Sequence, residues 1–357
     1  MELIVLGPDF QPFDILDSFE SLIWTDKYCG YGDFELTTKM SPKLLKTISY
    51  GNYFQLKGTK RVMVIEDIKN EIDVEDILIV KGRSLESILD RRIIWQQTIL
   101  SGNFQDGIFK LLNENIISPS IAERAIPNFI FEVSNDPAIT SLTVDAQFLW
   151  DNLYDSIYKL CETNNLGFSL TLSDAEQLIF KLHAGTDRSY DQTDNPYVVF
   201  APSFDNLLGS GSSESIQNLK TITLVAGEGE GTDRMTTIVG GGQGLERREM
   251  YTDASNIYQD TDEALLSDEE YLAQLAQKGN EDLIARSLVK SFEGKINSLG
   301  NFTYGVDFFL GDIVQVVNKY GIKAKARVTE LIQSQDVSGK EIYPTFTLID
   351  EKEEESV

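Results

Sequence analysis

Histidine is nearly missing from this sequence, and cysteine is scarce. The 357 residues hold one histidine, His183, and two cysteines, Cys29 and Cys161. A zinc site built from several histidines is therefore excluded, and a Ser-His-Asp triad would have to be built on His183. Two cysteines cannot form the disulfide framework of a small secreted domain, so a reducing folding compartment is expected. His183 alternates with apolar neighbours in LIFKLHAG, the pattern of a half-buried strand, which accounts for it without chemistry. Basic charge is also short: 31 Lys plus Arg face 57 Asp plus Glu, a formal net charge of −26. That balance argues against a binder of duplex DNA or RNA, which needs a basic face to neutralise phosphates, and against an anionic membrane surface. No apolar run approaches the roughly 18 residues of a membrane span. The opening MELIVLGPDF has neither the basic start nor the long apolar stretch of a signal peptide.

What is present is enough apolar sequence for a real core and about two to three domains at roughly 150 residues each. The N-terminal stretch reads as short strands closed by turn residues: ELIVL before Gly7-Pro8, SLIWT, DFELTTKM with Phe34 and Leu36 alternating, NYFQLKG, RVMVIEDIKNEI with Val62, Val64 and Ile68 on one face, and DILIVKG. The period then changes. SLESILDRRII has Ser84 as a candidate N-cap and Leu85, Ile88 and Leu89 at helical spacing. FQDGIFKLLNENII follows the same logic up to Ser118-Pro119. DAQFLWDNLYDSIYKLCETNN, residues 145–165, reads as one long helix with Leu149, Leu153, Ile157 and Leu160 in a stripe. GFSLTLS and QLIFKLHAG form a hairpin. YVVFAPSF and LKTITLVAG are further strands, joined by the glycine-rich GSGSSES, GEGEGTDR and VGGGQG. An acidic helical stretch runs from about Asp260 to Ser291, with Ser267 and Glu270 as a capping box and Gly279 as a break between two helices. GDIVQVVNKYGIKAKARVTELIQS is a hairpin turning near Asn318–Gly321, and TFTLID is the last strand.

The motifs that would carry chemistry fail on their own terms. No string supplies the glycines, lysine and hydroxyl of a phosphate loop, and GEGEG places two carboxylates where a phosphate would sit. The Ser-x-x-Lys spacings at Ser156–Lys159 and Ser287–Lys290 lack the companion motifs of the penicillin-binding class. YQDTDEALLSDEE lacks the glycine and ligand alternation of a calcium loop. No catalytic, cofactor or metal residue is therefore assigned. Two local features remain. Arg83, Asp90, Arg91 and Arg92 surround a short helix, and Asp187–Arg188 is a second pair; arginine forks bind carboxylates bidentately, so both are candidates for inter-domain or inter-subunit salt bridges. Trp24, Tyr28 and Tyr31 in WTDKYCGYGDFEL form a dense aromatic patch, a candidate contact for sugar or a partner, with barrel core plus hairpin turn as the plainer reading.

Several strings occur in order along nearly the whole chain: SLIWTDKYCGYGDFEL, KGRSLESILDRRIIW, GTDRSYDQTDNPYVVFAPSFDNL, GEGEGTDR, GLERREMYTDA and YGVDFFLGDIVQVVNKYGIKAKARVTEL. Together they resemble the tail-tip or baseplate hub family of long, non-contractile-tailed bacteriophages and their prophages. The resemblance implies an α+β, mainly β fold: tail-tube-like β-barrel modules with an α/β insert and a short helical segment. Residues 1–83 are then an N-terminal β module completed by 186–250, residues 84–185 the insert, 251–350 the helical segment with a second β module, and 351–357 an acidic tail. It further implies a homotrimer without catalytic activity or cofactor. Its partners would be the distal tail protein, the tape measure protein and receptor-binding or fibre proteins. DNA would pass through its lumen without specific binding, and there would be no membrane anchor. The protein would be synthesised in the host cytoplasm and end in the virion at the tail tip. The chain ends soon after its last strand, without a collagen-like, fibre or lysin extension, so a compact hub with separate receptor-binding chains is expected. Two rival functions follow from the residues alone: a carbohydrate- or receptor-binding tail protein working through Trp24, Tyr28 and Tyr31, and a cell-wall hydrolase using two carboxylates at the base of a cleft.

Overall fold

The computed structural model describes residues 1–71, 76–261, 265–296, 301–320 and 323–349. Its N-terminal module is a run of antiparallel strands: β1 (Leu3–Leu6), β2 (Pro12–Leu16), β3 (Ser21–Lys27), β4 (Asp33–Lys39), β5 (Tyr53–Leu56), β6 (Val62–Glu71) and β7 (Ile77–Ser84), with a one-turn helix α1 (Leu44–Thr47) between β4 and β5. They pair in the order β3-β4-β7-β6-β5-β1-β2. The inner face gathers Leu3, Val5, Trp24, Phe34, Phe54 and Met63 into one core. The outer face is buried as well, because Leu6, Tyr53, Val62 and Val64 pack against the next unit. Burial on both faces explains why Val62–Ile65 is an unbroken apolar run instead of an alternating one. The sequence pattern puts Ile68 with Val62 and Val64. The structure puts it on the opposite face, packed against the inner core, because a β-bulge between Ile65 and Asp67 shifts the phase by one residue.

The second unit contains β8 (Thr98–Asn103), α2 (Phe104–Leu112), β9 (Phe129–Glu132), α3 (Pro137–Thr140), β10 (Thr143–Phe148), α4 (Leu153–Thr163), β11 (Gly167–Leu172) and β12 (Leu178–His183). It opens with a 3-10 segment, Leu85–Arg91, where an α-helix is expected. Ser84 does not cap it; its hydroxyl accepts the N–H of Gly32 at 2.9 Å. The long helix expected over 145–165 is two elements. Residues up to Phe148 pair with β8, Trp150 takes a left-handed backbone (φ 63°), and the side chain of Asn152 caps α4 by accepting the N–H of Asp155. A left-handed residue cannot sit inside a helix, so the helical stripe that the side-chain spacing suggests is interrupted there. The β11–β12 hairpin forms as the sequence predicts, with β9 added in parallel.

The remaining strands are β13 (Val199–Phe200), β14 (Leu207–Ser215), β15 (Ile222–Ala226), β16 (Thr236–Gly240), β17 (Glu249–Asp253), β18 (Val289–Ile296), β19 (Ile313–Val317), β20 (Lys323–Asp336) and β21 (Gly339–Ile349), with α5 (Asp268–Ile284) between β17 and β18. The strands of 186–250 do not complete the N-terminal module. β13 pairs with β19, β14 pairs with β18, and β15–β17 form a sheet of their own. The physical reason is that the edge they would have joined, β3, is taken by β20. β20 is long enough for two jobs: Lys323–Arg327 pair with β19, Glu330–Asp336 pair with β3, and β21 runs along its other side. The two β modules are thereby one continuous 13-stranded sheet. The C-terminal module has its own core, in which Phe200 lies 5.2 Å from Phe308 and 5.4 Å from Phe346 between ring centroids.

The β15–β17 sheet is covered on one face by α5, and its core is small: Val225, Ala254, Ile257, Tyr271 and Leu275. The Ser267–Glu270 capping box is present. Gly279 does not break α5; it lets the helix lie close on the sheet, where a Cβ would come within 2.7 Å of Val225 Cγ2. This unit docks on the insert, with α5 against β10 and α4 and with the Gln147 side-chain amide bonding both the carbonyl (3.0 Å) and the N–H (2.7 Å) of Tyr258. The tail at 351–357 lies outside the described residues.

Candidate functional site

The three large units meet at Tyr28. It follows β3 directly, and its N–H continues the pairing to β20 by bonding the Thr329 carbonyl at 2.8 Å. Its ring is 3% exposed and lies in the C-terminal core. Its hydroxyl points the other way, into the insert, and donates toward the carbonyls of Asn165 (2.9 Å) and His183 (3.1 Å). The ring fits only because its neighbours lack side chains. A Cβ on Gly167 would lie 2.5 Å from the ring, and one on Gly311 2.1 Å. Gly311 also has φ +91°, which only glycine adopts without strain. The Arg327 guanidinium covers the ring at 5.2 Å and donates to the Gly311 carbonyl at 2.8 Å. The imidazole of His183 meets it edge-on at 5.2 Å. Burial pushes the Tyr28 hydroxyl up to about 12 and, helped by the Arg61 charge, lowers His183 to about 4, so both are neutral near pH 7.

Two buried ionic contacts reinforce the joint. Asp312, next to Gly311, accepts from the Arg188 Nε (2.7 Å), from the N–H of Thr186 (2.8 Å) and from the N–H of Phe309 (3.0 Å). It therefore fastens the segment leaving the insert to the C-terminal module. Arg61 of the N-terminal module sits between Glu86 (3.3 Å) and Asp26 (3.7 Å), and Glu86 also accepts the N–H of Leu170 on β11 at 2.9 Å. Burial raises both carboxyls from their ordinary values, against the pull of the Arg61 charge.

A cleft of about 740 Å³ opens beside the joint. Tyr31, Tyr154 and Tyr158 line one wall, with Tyr154 4.9 Å from Tyr31 and stacked on Tyr158 at 6.0 Å. The polar groups there are already engaged: Tyr158 donates to Glu162 at 2.6 Å, and Lys27 pairs with Glu330 at 3.3 Å. Burial pushes the thiol of Cys29, at the back of the cleft, up and keeps it protonated. Among the described residues no group of three or more histidine, cysteine or acidic side chains converges as metal ligands would.

The sequence-derived candidates fall in different places. Trp24 is fully buried inside the N-terminal core, on the inward-facing phase of β3, and Tyr28 is the joint, so neither forms an exposed aromatic platform. Tyr31 is half-buried beneath the Arg83 guanidinium, 4.8 Å from its ring centroid. Arg83 is satisfied internally, by a bidentate pair with Glu66 (2.7 and 2.8 Å) and a bond to Asp90 (3.2 Å). Asp90 also accepts from Asn152. Arg188 pairs with Asp312 and not with its neighbour Asp187, which accepts the N–H of Ser189. Arg91 is exposed, and Arg92 bonds the carbonyls of Arg91 and Arg124. Sequence reading missed Arg61, Glu86, Gly167 and Asp312. Glu86 and Asp312 lie inside strings that carry the family resemblance, KGRSLESILDRRIIW and YGVDFFLGDIVQVVNKYGIKAKARVTEL, but nothing local marks their partners.

Comparison with known proteins agrees with this architecture. The tail protein from Neisseria meningitidis MC58 superposes with a TM-score of 0.58 at 13% identity, over 97% of this chain and 95% of the other. The 43 kDa tail protein of prophage MuSo2 from Shewanella oneidensis gives 0.58 at 12% identity, over 97% and 98%. Prophage tail protein gp18 from Listeria monocytogenes EGD-e gives 0.55 at 13%, over 97% and 94%. At these identities the likeness is one of fold. No curated protein matches the sequence. The family model described as Siphovirus ReqiPepy6 Gp37-like protein matches residues 2–346, so the chain belongs to that siphovirus family.

Proposed function

We propose that the chain is a structural subunit of a siphophage tail tip, a homotrimeric hub that joins the tail tube and distal tail ring to receptor-binding proteins and surrounds the DNA exit channel. The observation that carries this reading is the fusion of two β modules into one sheet through β20, pinned by Tyr28 to the insert. Such a chain transmits position rigidly, which is what an adaptor ring requires. Three copies would place six β modules around one axis. The distal tail protein, the tape measure protein and the receptor-binding or fibre proteins are its proposed neighbours, and the tail tip its location, reached after synthesis in the host cytoplasm. The charge of −26 gives the lumen a use, since carboxylates facing the channel repel the DNA backbone and keep the genome moving. The carbohydrate-binding alternative loses its platform with the burial of Trp24 and Tyr28. Light scattering on the purified protein across a dilution series tests the hub. A mass of three times 40.1 kDa supports it, and a stable dimer contradicts it.

A further inference from the structure

Three arginines cluster at one place on the insert. Arg91, Arg92 and Arg124 line an open depression of about 370 Å³ together with Ile93 and Trp95. Arg92 and Arg124 are held in place by carbonyls: Arg92 by Arg124 and Arg91, Arg124 by Ile93 at 2.6 Å and by the side-chain oxygen of Asn115 at 3.0 Å. Among the described residues none of the three makes an ion pair, although acidic side chains outnumber basic ones by 57 to 31. The carboxylates in the lining do not pair with them: Asp90 is spent on Arg83 and Asn152, and Glu123 makes no salt bridge among the described residues. Burial, and after it the neighbouring Arg92 charge, lowers the Arg124 pKa. Beside them lies apolar surface. Trp95 is 49% exposed with the Arg124 guanidinium 4.8 Å from its ring centroid, and Ile93 is 42% exposed.

We infer that this depression is a docking site for an acidic peptide segment of a partner protein, one that presents carboxylates to the arginine forks and an apolar side chain to Trp95 and Ile93. The charge argument selects the carboxylates: guanidiniums whose hydrogen-bonding capacity is only partly used by carbonyls gain most from a bidentate acid. The exposed tryptophan selects a peptide over a bare anion, because arginine and tryptophan side by side are the composition of a protein-interface hot spot. In an otherwise acidic protein the patch also attracts such a segment where the rest of the surface repels it. The inference does not depend on the trimer, because it concerns a face of the insert and is read by binding, not by assembly.

The test is a fluorescence-anisotropy titration of the full-length protein with a labelled, capped peptide, Glu-Glu-Leu-Glu-Glu-Leu, at low and at physiological salt. Saturable binding that weakens with salt is expected. Arg91→Glu, an exposed position that should leave folding intact, is expected to weaken it about tenfold, and the triple change of Arg91, Arg92 and Arg124 to Gln to abolish it. Replacing the peptide's Leu by Ser should weaken binding several-fold, and replacing its Glu by Gln should remove it. The proposal is overturned by the absence of saturable binding, or by binding that Arg91→Glu leaves unchanged. It is equally overturned if inorganic phosphate displaces the peptide while the Ser peptide binds as well as the Leu peptide, which would make the site one for phosphate groups.

Discussion

The joint at Tyr28 and the small β15–β17 unit with α5 solve the same problem, attaching one piece of chain to another, in opposite ways. At the joint a ring is buried in one module's core, its hydroxyl is bonded in a second unit, and glycines from both sides close around it. The smaller unit has a five-residue core of its own and is held to the insert by α5 lying on β10 and α4, by the amide of Gln147 and by Asn256 bonding Asp151. Its outer face leaves Leu224 (45%), Ile238 (64%) and Tyr251 (53%) exposed in one row across the three strands. The difference teaches where cooperativity lies. Damage at the joint is felt by the whole chain, and damage in the small unit stays local.

The largest effect is expected from Asp312→Ala, which leaves Arg188 buried without its acid and two backbone N–H groups without an acceptor. A loss of about 3–5 kcal/mol in urea unfolding is expected, with a single transition retained. Next is acid. An unfolded histidine takes up a proton below about 6.5, whereas His183 in the folded protein does so only near 4. Stability is therefore full above pH 6.5 and falls as pH drops toward 4, by up to about 2–3 kcal/mol. The buried carboxyls Glu86 and Asp26 act with the opposite sign, because their raised values favour proton uptake in the folded state. The difference in pH profile between wild type and His183→Gln isolates the histidine; identical profiles would remove it from the account.

Gly279→Ala forces α5 off Val225 and is expected to cost about 1–3 kcal/mol. Hydrogen exchange should report the loss within β15–β17 and α5 alone, and spread of the effect to β3 or β20 would erase the contrast between the two attachments. The smallest change is expected from Gln147→Ala, about 1–2 kcal/mol from two lost bonds to Tyr258. It should raise protease sensitivity around Tyr258 while leaving the main urea transition in place.

Much of the architecture was legible because it is local. Alternation in Phe34 and Leu36, the β11–β12 hairpin and the Ser267–Glu270 capping box all depend on neighbours within a few residues. The misreadings have long-range causes. Ile68 changes face through a bulge that no side chain announces, and 145–148 become strand because β8 is there to pair with them. Gly279 looks like a helix breaker until the sheet it packs on is known. The joint was half legible. Tyr28 stood out as an aromatic, but its partners lie 137 and 155 residues away, and nothing local ties Arg61 to Glu86 or Arg188 to Asp312. Arg83, Arg91 and Arg92 were visible as a cluster, but Arg124 was not, and the division between Arg83, satisfied by Glu66, and the three arginines without an ion pair among the described residues is seen only in three dimensions.

The most direct test of the account is hydrogen exchange on Tyr28→Ala compared with wild type. Loss of the ring and its hydroxyl should release both sides of the joint together. Protection is expected to fall in the same proportion around Leu166–Leu172 in the insert and around Leu310–Val317 in the C-terminal module, with β15–β17 unchanged. A loss confined to β3 and its immediate ladder would contradict the claim that Tyr28 locks the three units into one scaffold.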